Sequence, residues 1–134
     1  MLNKVFLIGR VGQDPDIKYG QDGNPFGRVS VATSDKWKDR DGQPQEKTTW
    51  HDVLLQGKTA EFASQHVKKG QLVHVEGSID VKVVENEVGE KRYYHRVKAH
   101  RFFVLDWQDG KGAQQSFDDD DPPARPPRRT GGRR

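Results

Sequence analysis

The sequence contains no cysteine in its 134 residues and no long apolar run. Without thiols the chain forms neither a disulfide framework nor a thiolate metal site. No stretch approaches the ~20 apolar residues that cross a bilayer, and the amino end lacks the long apolar segment of a signal peptide. We therefore expect a soluble chain without membrane partners, and nothing in the sequence indicates export.

Hydrophobic residues are also scarce, at 31% of the chain against 32% charged residues. This balance predicts a small core, or a sizeable part of the chain that does not fold. The length suits one domain of roughly 100 residues followed by a tail. The net charge of +3 is too small to indicate a nucleic-acid partner by itself, so any basic surface must come from the placement of the cations.

Catalytic motifs are missing as well. Gly57-Lys58-Thr59 is similar to the end of a P-loop, but Asp52 stands where that motif needs its first glycine. The five histidines lack the spacing of metal ligands, and no Gly-x-Ser-x-Gly is present. The sequence therefore predicts a protein that is not an enzyme and has neither a metal site nor a cofactor.

The composition changes near Trp107. Residues 107–134 are rich in Gly, Asp, Pro and Arg, and we predict that they are disordered because they bury too little surface to offset the entropy of ordering. Their charges stand in blocks, with an acidic run at Asp118–Asp121 and five arginines beyond it. The predicted folded domain is residues 1–106.

Within that domain most segments show the period of two that is typical of strands. The predicted strands cover residues 5–8, 26–33, 48–56, 71–81 and 93–105. A helix is predicted where Ala60, Ala63 and Val67 follow helical spacing, with Gly70 placed to end it. An all-β chain of five strands, with one short helix between strands 3 and 4, is typical of an OB barrel; a sandwich usually needs about seven strands.

Aromatic residues stand among cations at several places. Trp37 lies between Lys36 and Lys38 in the predicted loop of a hydrophilic hairpin, where few apolar neighbours could bury it. Trp50 lies on a strand, and both a core position and a surface position remain open. In the last strand, alternation predicts that Tyr94 and Phe102 share an exposed face with the cations between them. Exposed rings flanked by cations suit single-stranded nucleic acid, whose bases offer π-faces and whose phosphates need counter-charges.

Five segments, in order and with natural spacing, resemble bacterial single-stranded DNA-binding proteins: Asn3–Pro15, Val31–Ser34 together with Trp37, Thr49–Val53, Gly57–Glu61 and Lys68–Gly77. The resemblance covers residues 1 to about 106. It implies an OB fold, a homotetramer and no enzymatic activity. It also implies sequence-tolerant binding and protection of single-stranded DNA in replication, recombination and repair, in the cytoplasm of a bacterium or on a phage or plasmid genome.

The same resemblance assigns the binding residues. Trp37 and Trp50 match base-stacking aromatics, and His51 matches a histidine that relatives use at the subunit interface. The positions that match cations contacting the DNA backbone are Lys38, Arg40, Lys58, Lys69, Lys82 and Arg92, and Lys4 and Lys18 are further candidates.

The chain departs from the family pattern at base-stacking positions and in the tail. Gln56 and Val84 stand where many relatives carry a stacking Phe and a stacking Trp, and Tyr94 or Phe102 could compensate. Cations of some relatives are replaced by Asp52, Asp80 and Val83.

The acidic run of the tail is followed by arginines, without the terminal apolar residues that capture replication and repair proteins in relatives. We therefore expect capture of such partners to be impaired or altered.

Three other functions are alternatives to single-stranded DNA binding and protection. They are a dimeric OB protein of replication restart, an RNA-binding OB protein and, from another class, a nuclease or an ATPase.

Overall fold

The computed structural model describes residues 1–107, and six strands and one helix account for most of them. In chain order the strands are β1 (Val5–Val11), β2 (Asp16–Tyr19), β3 (Pro25–Lys38), β4 (Pro44–Gln56), β5 (Leu72–Glu85) and β6 (Lys91–Val104). The helix α1 (Lys58–His66) lies between β4 and β5.

The strands close into a barrel. Their order is β1-β5-β6-β4-β3-β2, and β1 also pairs with β3 at Arg10 and Val11. Only β4 and β6 run parallel, joined at Val53 and Leu54, and the other pairs of the described chain are antiparallel. The five-stranded OB barrel, with its helix between the third and fourth barrel strands, is confirmed. The short strand β2, which pairs only with β3 among residues 1–107, is an addition that the sequence pattern did not predict.

Alternate residues of the strands fill the core, as the period of two requires. The buried strand residues are Val11, Val29, Val31, Val53, Leu55, Val73, Val75, Val97, Ala99, Phe102 and Val104. The helix contributes Ala60 and Ala63, as predicted, and also Phe62. It ends at His66, so Gly70 does not cap it; Gly70 has φ +90° in the following turn and donates its N–H to the Val11 carbonyl. No helix within residues 1–107 has the length and apolar composition needed to span a membrane.

Trp107, the first residue of the predicted tail, packs against the helix. Its ring is edge-on to Phe62, with centroids 6.2 Å apart, and edge-on to His66 at 5.7 Å. These contacts attach the end of the described chain to the core. Residues 108–134, which carry both charged blocks and for which we predicted disorder, lie outside the described residues.

Asp106 ties the same end of the chain to two strands. Its carboxylate accepts the Leu72 N–H at 2.6 Å and the Arg10 guanidinium at 2.7 Å. Burial alone would raise the pKa of Asp106, but these two donors outweigh burial and hold the pKa below its usual value. The contacts of the charged form therefore stabilise the fold at neutral pH, and this stabilisation is lost as the pH falls through the lowered pKa.

A β-bulge changes the face that the side chains of β6 occupy. The register of the β5–β6 ladder shifts between Glu76 and Gly77, and His100 is the extra residue on β6. An extra residue exchanges the two faces of every position beyond it. Phe102 is therefore only 4% exposed and belongs to the core. The prediction that it shares an exposed face with Tyr94, and could compensate for a missing stacking ring, is wrong.

Replacing Phe102 with Ala should lower the free energy of unfolding by ~3–5 kcal/mol, because a buried ring leaves a cavity behind. The control is Tyr94→Ala, since that ring is 49% exposed and a cross-strand contact is worth about 1 kcal/mol or less. Urea unfolding of both variants at one protein concentration measures the difference. Equal losses would contradict the inward position of Phe102.

Candidate nucleic-acid interface

The register of β2, β3 and β4 decides which side chains leave the barrel. Val29, Val31 and Val53 point inward, so the even-numbered residues of these strands point outward. We call the outward side of the three strands the outer face. Its side chains are Asp16, Lys18, Phe26, Arg28, Ser30, Trp50, Asp52, Leu54 and Gln56.

Trp50 is a surface ring at one end of this outer face. The side chain is 62% exposed, which decides between the two positions that the sequence left open. One side of the ring lies against the backbone at Gly12, where a Cβ would overlap the ring. The ring also lines a groove of about 390 Å³ together with Arg28 and Asp52. The absence of a side chain at Gly12 therefore lets the edge of the tryptophan ring approach the barrel, while most of the side chain stays open to a ligand.

Arg28 is a cation of the groove that sequence reasoning missed. Its guanidinium lies 3.5 Å from the carboxylate of Asp52, on the adjacent strand. Both groups are exposed, so the pair contributes little to stability and opens easily. Asp52, which replaces a cation of some relatives, is therefore accompanied by a cation from β3. The sequence did carry a signal for Arg28. It alternates with the buried valines that follow it on β3, and this alternation places it on the outer face together with Phe26.

Trp37 lies on a strand and not in a loop as predicted, because β3 continues to Lys38 and only residues 39–43 turn. The turn is held by Asp39, whose carboxylate accepts the N–H groups of Asp41 and Gln43. Trp37 is 49% exposed. Lys38 lines a shallow groove together with Trp37, and Arg40 lies in the turn beyond it, so the end of this hairpin carries a ring and two of the predicted cations.

The two tryptophans project from opposite faces of the β3–β4 hairpin. Trp50 pairs with Ala32, while Trp37 pairs with Gln45, and the register between these pairs is continuous. Because successive residues of a strand alternate faces, an odd and an even position of β3 cannot share one. The two predicted stacking rings are therefore divided between the outer face, which carries Trp50, and the tip of the hairpin, which carries Trp37.

A third group lies on the arm formed by the ends of β5 and β6. Lys82 pairs with Tyr94, and Val84 pairs with Arg92, so all four side chains share one face. The two predicted cations are thus neighbours. Tyr94 lies diagonally across from Val84 and is half exposed. This is the position that Tyr94 needs if its ring is to compensate for the stacking ring that is missing at Val84.

Asp80, the other acidic replacement, lies on the same face of the arm. Its carboxylate accepts the Nε–H of Arg96 at 2.6 Å. Asp80 therefore pairs with the cation next to it, which leaves Lys82 and Arg92 as the cations of this face of the arm.

The remaining predicted cations are dispersed. Lys18 lies on the outer face, and Lys58 is the exposed first residue of α1. Lys69 lies in the turn before β5, where its backbone N–H binds the Asp14 carboxylate at 2.8 Å. Lys4 precedes β1, with its ammonium 6.0 Å from the centre of the Phe6 ring.

His51, the predicted interface residue, points inward on β4. Its Nε2 and the Thr33 hydroxyl oxygen are 2.8 Å apart. It also lines a second groove, of about 360 Å³, together with Val5 and Leu7 of β1. Among residues 1–107, no three His, Asp or Glu side chains are grouped so that they could hold a metal ion.

Comparison with known proteins assigns the chain to a family. The model of the single-strand binding protein family matches residues 2–105. The chain is 46% identical over 105 residues to single-stranded DNA-binding protein 1 of Xylella fastidiosa, covering 78% of this chain and 77% of that protein. It is 42% identical over 104 residues to the single-stranded DNA-binding protein of Neisseria meningitidis serogroup A, of whose length it spans 60%. The chain belongs to the single-strand binding protein family.

Solved structures agree with this assignment. The Plasmodium falciparum SSB in complex with ssDNA superposes with a TM-score of 0.73 at 29% identity, over 79% of this chain and 96% of that one. A deletion mutant of the single-stranded DNA-binding protein from Thermus aquaticus gives 0.69 at 34% identity, over 80% of this chain and 52% of that one. The OB barrel is therefore shared with a protein whose structure in complex with ssDNA has been solved.

Replacing Gly12 with Ala should push the Trp50 ring off the barrel, because the new Cβ overlaps it. In a chain whose other two tryptophans are changed to Phe, the remaining emission should shift to the red and quenching by acrylamide should accelerate. The control is the same chain with Gly12 intact. Unchanged emission and quenching would show that the ring is not seated on Gly12.

Proposed function

We propose that this protein binds single-stranded DNA with little sequence preference and protects it during replication, recombination and repair. The observation that carries the proposal is the exposure of Trp50 and Trp37, each next to cations, in a fold shared with a structure bound to ssDNA. Bases stack on such rings whatever their identity, since every base has a π-face. The cations compensate the phosphates, a contribution that is also independent of sequence.

Each of the three regions of the interface contributes an aromatic ring. The outer face and the hairpin tip supply a tryptophan each, and the arm supplies Tyr94 between Lys82 and Arg92. Such a dispersed set of rings and charges favours a long, flexible ligand over a compact one. It supports a binding protein without catalysis or cofactor, acting where the bacterial relatives keep their DNA, in the cytoplasm. The tail is proposed to offer partners an acidic segment without the usual apolar residues.

Trp50→Ala and Trp37→Ala should each weaken binding of labelled oligo-dT by roughly 5- to 150-fold, since stacking of a base on a ring is worth ~1–3 kcal/mol. Tryptophan fluorescence should fall as DNA binds. The parent should bind a matched RNA oligonucleotide more weakly and should leave the labelled strand intact in Mg²⁺. Parent-like binding by both variants would contradict the proposed stacking, and cleavage would favour the nuclease alternative.

We propose further that the chain assembles into a homotetramer. Within residues 1–107 no strand pairs with the second edge of Val5–Ile8, which leaves backbone groups open to another copy. The adjoining side chains Phe6 and Ile8 are 62% and 58% exposed, and they form an apolar stripe that association would cover. A copy docked at this edge would meet His51 across the second groove, which supports the interface role predicted for that residue.

Light scattering should give a mass near four times the 15.3 kDa of one chain. Ile8→Asp should reduce that mass, because a buried unpaired carboxylate opposes association. The control is Val88→Asp, an exposed apolar residue in the turn of the arm, which should leave the mass unchanged. A monomeric parent would contradict the proposed assembly.

A further inference from the structure

We propose that Phe26 is a third base-stacking residue and that, with Lys18 and Lys58, it forms a DNA subsite at the end of the outer face. The inference rests on the proposed binding of single-stranded DNA. It adds a ring that the family resemblance did not point to, and it assigns each of the two lysines a place beside that ring.

Phe26 has no structural task that explains its exposure. It lies on β3 with its side chain outward and 45% exposed, whereas the barrel core lies on the other side of the strand. It is not among the residues that form the core or pack against it. A large apolar ring kept in water on a rigid strand is costly unless something covers it. A nucleobase fits that role because it is flat and apolar on both faces.

Strand pairing places one lysine near Phe26 on the side of each neighbouring strand. Lys18 of β2 pairs directly with Phe26. On the other side Gln56 of β4 pairs with it, and the Gly57 N–H donates to the Pro25 carbonyl at 2.9 Å. That hydrogen bond brings Lys58, the next residue, alongside the pair. A ring between two lysines provides one stacking surface and two phosphate contacts at one place.

The location of Phe26 also compensates for the absence of a stacking ring at Gln56. Directly paired residues on antiparallel strands have Cβ atoms ~4.5–5.5 Å apart, which is about the breadth of one aromatic ring. A ring at Phe26 therefore covers nearly the same surface that a ring at position 56 would cover. The stacking surface missing from β4 is supplied by β3.

Phe26 is in line with the groove of Trp50. Trp50 pairs with Ala32, six residues along β3 from Phe26, which corresponds to roughly 20 Å at ~3.3 Å per residue. Arg28 projects from the same face between the two rings, beside Asp52. Asp16 of β2 pairs directly with Arg28, so the carboxylates of Asp16 and Asp52 adjoin this cation from the two neighbouring strands. The outer face thus presents ring, cation and ring along one strand direction.

Phe26→Leu tests the stacking, because it keeps an apolar side chain and removes the π-face. Affinity for oligo-dT should fall roughly 5- to 150-fold, with an unchanged slope of log affinity against log salt. Phe26→Tyr, which keeps the ring, should bind like the parent. Lys58→Gln should instead make the salt slope shallower by ~0.7, the effect of one lost phosphate contact on a single strand.

The decisive variant moves the aromatic ring from position 26 on β3 to the paired position 56 on β4. Phe26→Gln combined with Gln56→Phe should recover most of the affinity lost in Phe26→Gln alone. Ultraviolet crosslinking of the parent to oligo-dT, followed by peptide mass spectrometry, should identify the peptide that contains Phe26. The thermal unfolding and the mass of each variant should match those of the parent.

The outcomes separate this inference from the proposed function. If the parent binds and Trp50→Ala weakens binding, but Phe26→Leu binds like the parent, the subsite is refuted and the function stands. If Phe26→Leu lowers the oligomeric mass together with the affinity, Phe26 belongs to an interface and the inference is also refuted. Failure of the parent to bind any single strand would overturn the proposed function itself.

Discussion

The continuous antiparallel register between β3 and β4 is the constraint on which the interface depends. From the Phe26–Gln56 pair to the Lys38–Pro44 pair it has no irregularity, so the inward position of the core valines fixes the direction of every other side chain. Burial of those valines supplies the energy that holds the register, since a slip by one residue would exchange core and surface. The outward position of Trp50 is thus a consequence of the barrel core.

Charge on this surface is controlled by pairing as much as by composition. Asp52 accompanies Arg28, and Asp80 accompanies Arg96, so both acidic replacements have a cation next to them. The two pairs differ in strength. The contact to Arg28 is long and exposed, and phosphate can compete for it, whereas the contact to Arg96 is short and partly buried. The outer face therefore retains a cation that DNA can recruit, and the base of the arm does not.

Sequence reasoning predicted the five barrel strands and the helix in their order along the chain, because alternation of buried residues and helical spacing can be read from the residues. The family was predicted from its motifs. It could not predict the bulge at His100, since an inserted residue changes no composition and only the partner strand reveals it. Trp37 was assigned to a loop because a hairpin that extends beyond the barrel buries neither face, so its strands show no alternation. Phe26 was overlooked for a related reason: its importance comes from Lys18 and Gln56, which are neighbours only after β2 and β4 have paired with β3.

The divided tryptophans restrict the shape of any ligand that touches both. Since Trp50 and Trp37 leave the hairpin on opposite faces, a polymer in contact with the two rings must turn around the edge of a two-stranded ribbon. A DNA duplex, with a persistence length of about 50 nm, cannot bend within so short a path without a large elastic cost. A single strand bends there freely. Simultaneous contact with both rings therefore favours a single strand over paired DNA because of its flexibility, without the reading of a base or a sugar.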